Sequence, residues 1–311
     1  MNLHQFRFVQ EAVRRNLNLT ETAKALSTSQ PGVSKAILEL EEELGVDIFV
    51  RHGKRLTRVT EPGQLVLQSV DVILRELANL RRIGDEYAKQ DGGRLTIATT
   101  HTQARYVLPT PVAQWRKRFP KVQISLHQGT PQDVARWLLN DEADIGLATE
   151  ALAERPELVT LPWYEWQHVA VMAPDHPLAG VERLTLEHLA TEPLITYQAG
   201  FSGRARIDQA FARRGLAPEV TLEAIDADVI QTYAAAGLGV GLVAEVAVRE
   251  STGLVVRPLG HLFGQNTARV AFRRGAYLRG YVYVLAELLS DRLSRPLIER
   301  ALLATGDNFD L

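Results

Sequence analysis

The sequence predicts an α/β fold in three parts: a small helical head, a helical linker, and a large region of alternating strands and helices. Residues 1–59 carry short amphipathic helices, and residues 60–90 carry one long apolar repeat. From about residue 91 to residue 311, strand patterns alternate with helix patterns. A chain of 311 residues is long enough to form several compact units.

The composition is that of an ordinary globular protein, with 46% hydrophobic and 23% charged residues. The chain contains no cysteine, which excludes disulfides, thiolate metal sites and cysteine nucleophiles. The N-terminus lacks a signal-peptide pattern, and no apolar run is long enough to cross a bilayer. We therefore expect a cytoplasmic protein that has no membrane partner, no metal and no cofactor.

Three helices are predicted in residues 1–59. The first runs from about Leu3 to Arg15, the second starts at the N-cap Thr20, and the third runs from the N-cap Ser29 to a stop at Gly45. The expected inward residues are Leu3, Phe6, Val9 and Val13 of the first helix and Ala23 and Leu26 of the second. Two short helices joined by a tight turn form a helix-turn-helix.

The third helix opens with "STSQPGVSK" and buries an apolar stripe of Val33, Ile37, Leu40 and Leu44. Gly32 weakens its first turn, which indicates that another molecule approaches the backbone closely there. The second half carries Glu39, Glu41, Glu42 and Glu43, which would repel phosphates. Only the first half can therefore enter a DNA groove, with Gln30 and Ser34 at base edges and Lys35 at a phosphate or a guanine.

The net charge of −2 argues against a nucleic-acid binder, but the distribution of charge does not. Residues 1–60 hold nine Lys/Arg against seven Asp/Glu, and "RHGKRLTR" (51–58) holds four basic residues and no acid. The segment "VDIFVRHGKRLTRVT" predicts a β-hairpin wing turning at His52-Gly53, with its basic residues along the DNA backbone. The alternative is a three-helix interaction module with a solvated basic face.

The linker is predicted to be one long helix capped by Thr60. Its apolar residues Val66, Val70, Ile73, Leu77 and Leu80 repeat as a heptad seam. Pairing of two such helices would place two DNA-binding heads on one duplex, so the target should be an inverted repeat. The alternative is a single helix packed on its own domain.

The last part of the chain is predicted to form two α/β lobes around a cleft: one from about residues 91–162 and 267–311, the other from about 163–266. Three strands end in hydroxyl-rich segments, namely "TTHTQ" (99–103), "TE" (149–150) and "YQAGFSGR" (197–204). Hydroxyls and helix N-termini together suit a small oxyanion or a carboxylate, although plain N-capping explains any single Ser or Thr.

The segment "AKALSTSQPGVSKAILELEEELGVDIFVR" closely resembles the DNA-binding domain of LysR-type transcriptional regulators. The resemblance implies a winged helix-turn-helix whose recognition helix begins at Ser29, followed by a helical linker and a two-lobed, periplasmic-binding-protein-like (type 2) effector domain. The expected DNA-binding residues are Ser29, Gln30, Pro31, Gly32, Ser34, Lys35, Arg51, Lys54 and Arg55.

The motifs "TTHTQARYVLP", "LATEAL", "TYQAGFSGR" and "DADVIQTYAAAGLGVGLVA" are similar to the CysB-type subgroup, whose members regulate sulfur assimilation. The resemblance implies an effector cleft lined by Thr100, Thr102, Gln103, Thr149 and Ser202. Ser202 departs from the subgroup pattern, in which threonine is expected. The subgroup's effectors include sulfate-like anions, such as sulfate and thiosulfate, and O- or N-acetylserine.

The expected partners are promoter DNA, the small anion and further copies of the chain, as a homodimer or homotetramer; RNA polymerase is a candidate further partner. A LysR-type regulator of another pathway, with a different carboxylate effector, is an alternative. An enzyme using His101 as a general base is a second alternative, although the sequence has no HExxH or GxSxG motif. A periplasmic transport receptor would need an export signal.

Overall fold

The computed structural model describes residues 1–53, 55–88, 92–149, 152–153, 155–201, 203–249 and 253–304. The chain divides into two compact units, Met1–Tyr87 and Ala88–Leu311. Lys54 and Ser202 lie outside the described residues, as do residues 89–91 at the end of the linker.

The first unit contains the predicted three helices, hairpin and long helix. Its elements are α1 (Leu3–Arg14), α2 (Leu19–Ala25), α3 (Gln30–Leu44), β1 (Phe49–His52), β2 (Arg55–Val59) and α4 (Glu61–Ala88). Ser29 caps α3, and Gly45 ends it in the left-handed conformation with φ +68°, as expected for a C-terminal glycine. Thr60 caps α4, because its Oγ1 accepts the Gly63 N–H at 2.9 Å.

Two expectations for the first unit are wrong. The buried stripe of α1 is Gln5, Val9 and Ala12, whereas Leu3 and Val13 are 41% and 37% exposed. Ala12 packs into the same core as the stripe of α3, and this rotates α1 away from the predicted face. The N-cap of α2 is Asn18 rather than Thr20, because the Asn18 side chain accepts the N–H groups of Thr20 and Glu21.

The linker helix divides its apolar residues between two environments. Val66 is partly buried against the core of the first unit, and Val70 is only 2% exposed. Gln10 of α1 donates from Nε2 to Asp71 Oδ1 at 2.5 Å. Farther along α4, Ile73 and Leu80 are exposed. The start of the predicted seam therefore packs on its own unit, while its later residues stay on the surface.

The second unit alternates strands and helices, as predicted. Its strands are β3 (Gly93–Thr99), β4 (Val122–Gln128), β5 (Ile145–Ala148), β6 (Leu158–Met172), β7 (Leu194–Tyr197), β8 (Val220–Ala224), β9 (Val240–Ala244), β10 (Val255–Pro258) and β11 (Gln265–Arg273). Its α-helices are α5 (Pro109–Arg118), α6 (Pro131–Leu139), α7 (Leu186–Ala190), α8 (Arg204–Arg213), α9 (Ala227–Ala235), α10 (Gly260–Phe263), α11 (Gly280–Leu289) and α12 (Arg295–Leu303).

The strand β6 runs through both lobes. Its residues 158–167 pair with β11, and its residues 168–172 pair with β9 and β10. Across the sheet, the hydrogen-bonded strands follow the order β4-β3-β5-β11-β6-β9-β7-β8, and β10 pairs with β6. Sequence reasoning found the second half of β6 but missed its first half and β10. Each lobe has its own apolar core, one containing Leu95, Trp115 and Phe272 and the other containing Leu194, Phe211 and Leu242.

Across the described ranges, none of the helices combines the length and the apolar character needed to span a bilayer.

Candidate functional site

The first turn of α3 is capped and carries little side-chain bulk. Ser29 Oγ accepts the Gly32 N–H at 3.2 Å, and Pro31 lies in the first turn. A Cβ on Gly32 would stand only 3.1 Å from Ser29 Oγ, so glycine keeps this cap undisturbed. The Lys35 side chain is 79% exposed, and its 3.7 Å pairing with Glu39 is an exposed ion pair that is easily exchanged for another anion.

The hairpin of β1 and β2 is the predicted wing. Its strands are antiparallel and turn at Gly53, with φ +62°. Arg55 is exposed on β2, at the end next to the turn. Arg51 has a different environment: its guanidinium donates from Nη2 to Glu41 Oε2 at 3.0 Å.

Glu41 corrects the sequence-based account of α3. It was expected among the acidic residues that repel phosphate, but its side chain is only 5% exposed. Its Oε1 accepts the backbone N–H groups of Ile48 and Phe49 at 2.9 and 3.0 Å. Repulsion from the second half of α3 therefore falls to Glu39, Glu42 and Glu43. That Arg51 contacts DNA stays a prediction.

In the second unit, β3 ends at the predicted hydroxyl-rich segment. The chain continues through Thr100 and Thr102 into a π-helical turn, Gln103–Val107, before α5 begins. Such turns are rare in proteins, and those that occur often lie at functional sites. Thr100, Thr102 and Gln103 are all buried, at 1%, 4% and 3% exposure. They are thus held inside the protein at the carboxyl end of a parallel strand.

Two tyrosines, the partly buried Tyr164 and the buried Tyr197, orient these side chains, and sequence reasoning missed both. The Tyr164 hydroxyl donates to Gln103 Oε1 at 2.8 Å, which directs the amide Nε2 of Gln103 elsewhere as a donor. The Tyr197 phenol oxygen accepts the Ala244 N–H at 3.2 Å and is hydrogen-bonded to Thr102.

Burial raises the pKa of both tyrosines to about 12. Their hydroxyls therefore remain neutral at any physiological pH. A neutral phenol donates hydrogen bonds and does not repel an anion as a phenolate would. This set of buried hydroxyls and an amide is suited to an anion and contains no lysine.

The strongest sign of a ligand is an unsatisfied donor. Thr100 Oγ1 is buried, and among the described residues no group forms a hydrogen bond with it. The indole Nε1 of Trp166 is in the same situation within the described ranges. Buried polar groups in proteins almost always have partners, so both donors require one. Nothing in the sequence distinguishes Trp166 from other residues of β6.

Of the remaining two predicted effector residues, the structure describes Thr149 but not Ser202. Thr149 is buried directly after β5, the parallel neighbour of β3, so it lies at the same sheet edge as Thr100. Ser202 is outside the described residues, but Gly203 next to it is described. Gly203 has φ +73°, and a Cβ there would stand 2.5 Å from His168 Cε1. Gly203 is thus held close to β6, and only glycine fits at this position.

A charged cluster joins the two lobes. Asp228, in the first turn of α9, accepts from Arg105 Nε at 2.6 Å and lies 3.4 Å from His101 Nε2. His101, Asp226 and Asp228 place ligand atoms within 4.8 Å of one another, close enough for a metal ion. The Arg105 guanidinium already supplies the positive charge at Asp228. The geometry gives His101 a hydrogen-bond partner in Asp228 rather than a nucleophile to activate.

Comparison with known proteins gives consistent matches. A family profile described as "Bacterial regulatory helix-turn-helix protein, lysR family" matches residues 3–64, and one described as "LysR substrate binding domain" matches residues 88–294. The HTH-type transcriptional regulator CysB of Burkholderia cenocepacia is 58% identical over the whole of both chains. SsuR of the same species, also an HTH-type transcriptional regulator, is 53% identical over 94% of this chain and 96% of its own.

A solved structure is similar to the second unit. The crystal structure of the cofactor-binding domain of the Cbl transcriptional regulator has a TM-score of 0.65 and 49% identity. The match covers 68% of this chain and 93% of that domain. The relatives named here are transcriptional regulators and not enzymes.

Proposed function

This chain belongs to the LysR family of transcriptional regulators, and on that premise we propose that it controls sulfur-assimilation genes in response to a small anion. The anion is sulfate, thiosulfate, or O- or N-acetylserine. The proposed place of action is the cytoplasm, on promoter DNA. The sulfur assignment is supported by the CysB-type motifs and by the 58% identity to a regulator named CysB.

On the DNA side, the start of α3 enters the major groove. Gln30 and Ser34 contact base edges, Lys35 contacts a phosphate or a guanine, and Gly32 admits the duplex close to the helix backbone. Arg55 and Lys54 of the wing contact the DNA backbone. The exposure of Lys35 and Arg55 supports these roles.

On the effector side, the anion lies at the carboxyl ends of β3 and β5. The proposed donors are Thr100, Thr102, Gln103, Thr149 and Ser202, together with the Trp166 indole. The buried, unsatisfied Thr100 hydroxyl carries this proposal, because an anion would supply the acceptor that this donor lacks. Binding shifts the equilibrium between open and closed lobes, and this changes the geometry of the DNA-binding heads.

The assembly is proposed to be a homotetramer of linker-paired dimers. Ile73 and Leu80 of α4 are exposed apolar residues seven positions apart, as in a heptad seam. A separate apolar stripe is exposed at α9; it consists of Val229 and Tyr233 in the helix and Ile225 just before it. Two separate surfaces of this kind allow a second copy to bind at each of them. RNA polymerase is proposed as a further partner of the DNA-bound form.

The effector proposal is tested with Thr100→Val, which keeps the shape of the side chain and removes its hydroxyl. We expect sulfate, thiosulfate or acetylserine to raise the melting temperature of the parent and to alter its binding to promoter DNA. In Thr100→Val the anion should bind at least tenfold more weakly, because a hydrogen bond to a charged group is worth about 1.5–3 kcal/mol. Thermal shift and calorimetric titration measure both effects.

Thr96→Val is the matched control, because Thr96 is buried on the same strand, upstream of the cleft. It should respond to the anion as the parent does. An unchanged response in Thr100→Val would place the effector pocket elsewhere. If only a carboxylate other than acetylserine binds the parent, the protein regulates a different pathway through the same cleft.

A further inference from the structure

The wing is connected to the recognition helix α3 by one buried carboxylate. Glu41 Oε1 accepts the N–H groups of Ile48 and Phe49, and Glu41 Oε2 accepts from Arg51 Nη2. All three partners lie on the segment that leads into and forms β1. Three hydrogen bonds to one carboxylate fix both the distance and the direction of that segment relative to α3.

The Ile48 peptide extends this connection to the linker helix α4. Its carbonyl oxygen accepts the Thr60 N–H at 3.0 Å and lies 3.3 Å from the Thr60 hydroxyl oxygen. Thr60 in turn caps α4 through the Gly63 N–H. A Cβ at Gly63 would overlap the Ile48 carbonyl, so α4 also approaches this peptide closely. The recognition helix, the wing and the linker helix are therefore all connected to the peptide unit between Ile48 and Phe49.

The wing needs such a connection. A two-stranded hairpin is only marginally stable by itself. Phe49 and Leu56 bury their side chains in the core of the first unit, but apolar contacts are not directional. The Glu41 hydrogen bonds supply the direction.

We propose that Glu41 is a positioning residue for DNA recognition, and that Arg51, contrary to the expectation from the sequence, acts through Glu41 and not by contacting DNA. This inference rests on the proposed DNA binding by α3 and the wing. The bonds of Glu41 hold the wing at the angle from which Arg55 reaches the DNA backbone. Arg51 neutralises the buried carboxylate and adds one more bond between α3 and β1.

A double-mutant cycle tests this proposal. The probe is a duplex selected from a random-sequence pool by the parent protein, and the variants are Glu41→Gln, Arg51→Gln and the double variant. Affinity is measured at several salt concentrations by fluorescence anisotropy, and the contacts are mapped by hydroxyl-radical protection. Thermal unfolding confirms that each variant is folded under the assay conditions.

We expect each single variant to lose protection at the duplex flank contacted by the wing and to keep protection at the major-groove site. Arg51→Gln should add nothing further in the Glu41→Gln background, so the two losses should couple by at least about threefold in affinity. A residue that binds a phosphate directly would instead reduce the salt slope by about 1 in either background. Arg55→Gln is the control expected to do so.

Additive losses, or parent-like protection in Glu41→Gln, would overturn the proposal. Should Glu41→Gln fail to fold, Glu41→Asp replaces it in the cycle, because it keeps the charge and shortens the reach. The variant Gln30→Ala distinguishes a failure of the Glu41 proposal from a failure of the proposed DNA binding by α3. If Gln30→Ala also binds the selected duplex like the parent, it is the placement of α3 in the groove that is wrong.

Discussion

Gly63, in the first turn of α4, sits where there is no room for a side chain. An added Cβ would lie against the Ile48 carbonyl, and 2.8 Å from Thr60 Oγ1. Thr60 and Ile48 are both bound into the junction of α3, the wing and α4. The requirement at Gly63 is therefore a close approach of two backbones and not an unusual backbone angle.

We predict that Gly63→Ala lowers the free energy of unfolding by about 1–3 kcal/mol, the usual cost of an extra methyl group where no space exists. Gly84→Ala is the matched control on the same helix, because no described atom lies within 4 Å of the position of its Cβ. That variant should gain up to about 1 kcal/mol, since alanine is the better helix former. Denaturant unfolding followed by circular dichroism measures both, and equal stability of the two variants would contradict the close approach.

Some roles of single residues can be recognised in the sequence, and others cannot. Ser29 and Gly45 were identified as the ends of α3, because capping depends on neighbours within a few positions. Glu41 was misjudged because its partners are backbone groups seven and eight residues away, beyond the end of its own helix. A glutamate that faces solvent and one that anchors a strand look the same in a local pattern.

At the scale of elements, the π-helical turn after β3 and the first turn of α9 belong to different lobes. Polar and charged side chains connect them. Arg105 and His101 lie in or next to the first, and Asp228 lies in the second. These side chains are 30–48% exposed, so the pairing is only moderately strong. It nevertheless favours the arrangement in which the lobes are close.

We predict that Asp228→Asn weakens sulfate binding by roughly two- to fivefold, because it removes a partly exposed electrostatic attraction between the lobes. Calorimetric titration measures the affinity. Glu299→Gln is the control, because the Arg295–Glu299 pair has a similar 2.7 Å distance but lies within one helix. An effect of equal size in both variants would assign the loss to general charge and not to the contact between lobes.

At the scale of the whole molecule, the linker helix has apolar surface left over. The first unit uses Val66 and Val70, whereas Leu80 is 66% exposed and Ile73 is 40% exposed. Exposed leucine and isoleucine at heptad spacing favour pairing with another helix. The proposed partner is the α4 helix of a second copy.

We predict that Leu80→Glu reduces the assembly to smaller species, because pairing would bury two like charges next to each other. Mass from light scattering at micromolar concentration measures the change. Gln68→Glu adds the same charge to α4 about 140° around the helix from Ile73 and should leave the mass unaltered. A parent-like mass for Leu80→Glu would remove α4 from the interface.

Local patterns in the sequence were enough to establish the helix-turn-helix, the wing, the long linker helix, most strands and the hydroxyl-rich strand ends. Helical period, strand alternation and capping depend on residues only a few positions apart, so they can be recognised in a single chain. The folded chain alone decided which hydroxyls have hydrogen-bond partners and which, Thr100 among them, are buried without one in the described part of the chain. It also decided how β6 is shared between the lobes. Tyr164 meets Gln103 across 61 positions and Asp228 meets His101 across 127, and contacts over such separations arise only when the lobes fold and pack.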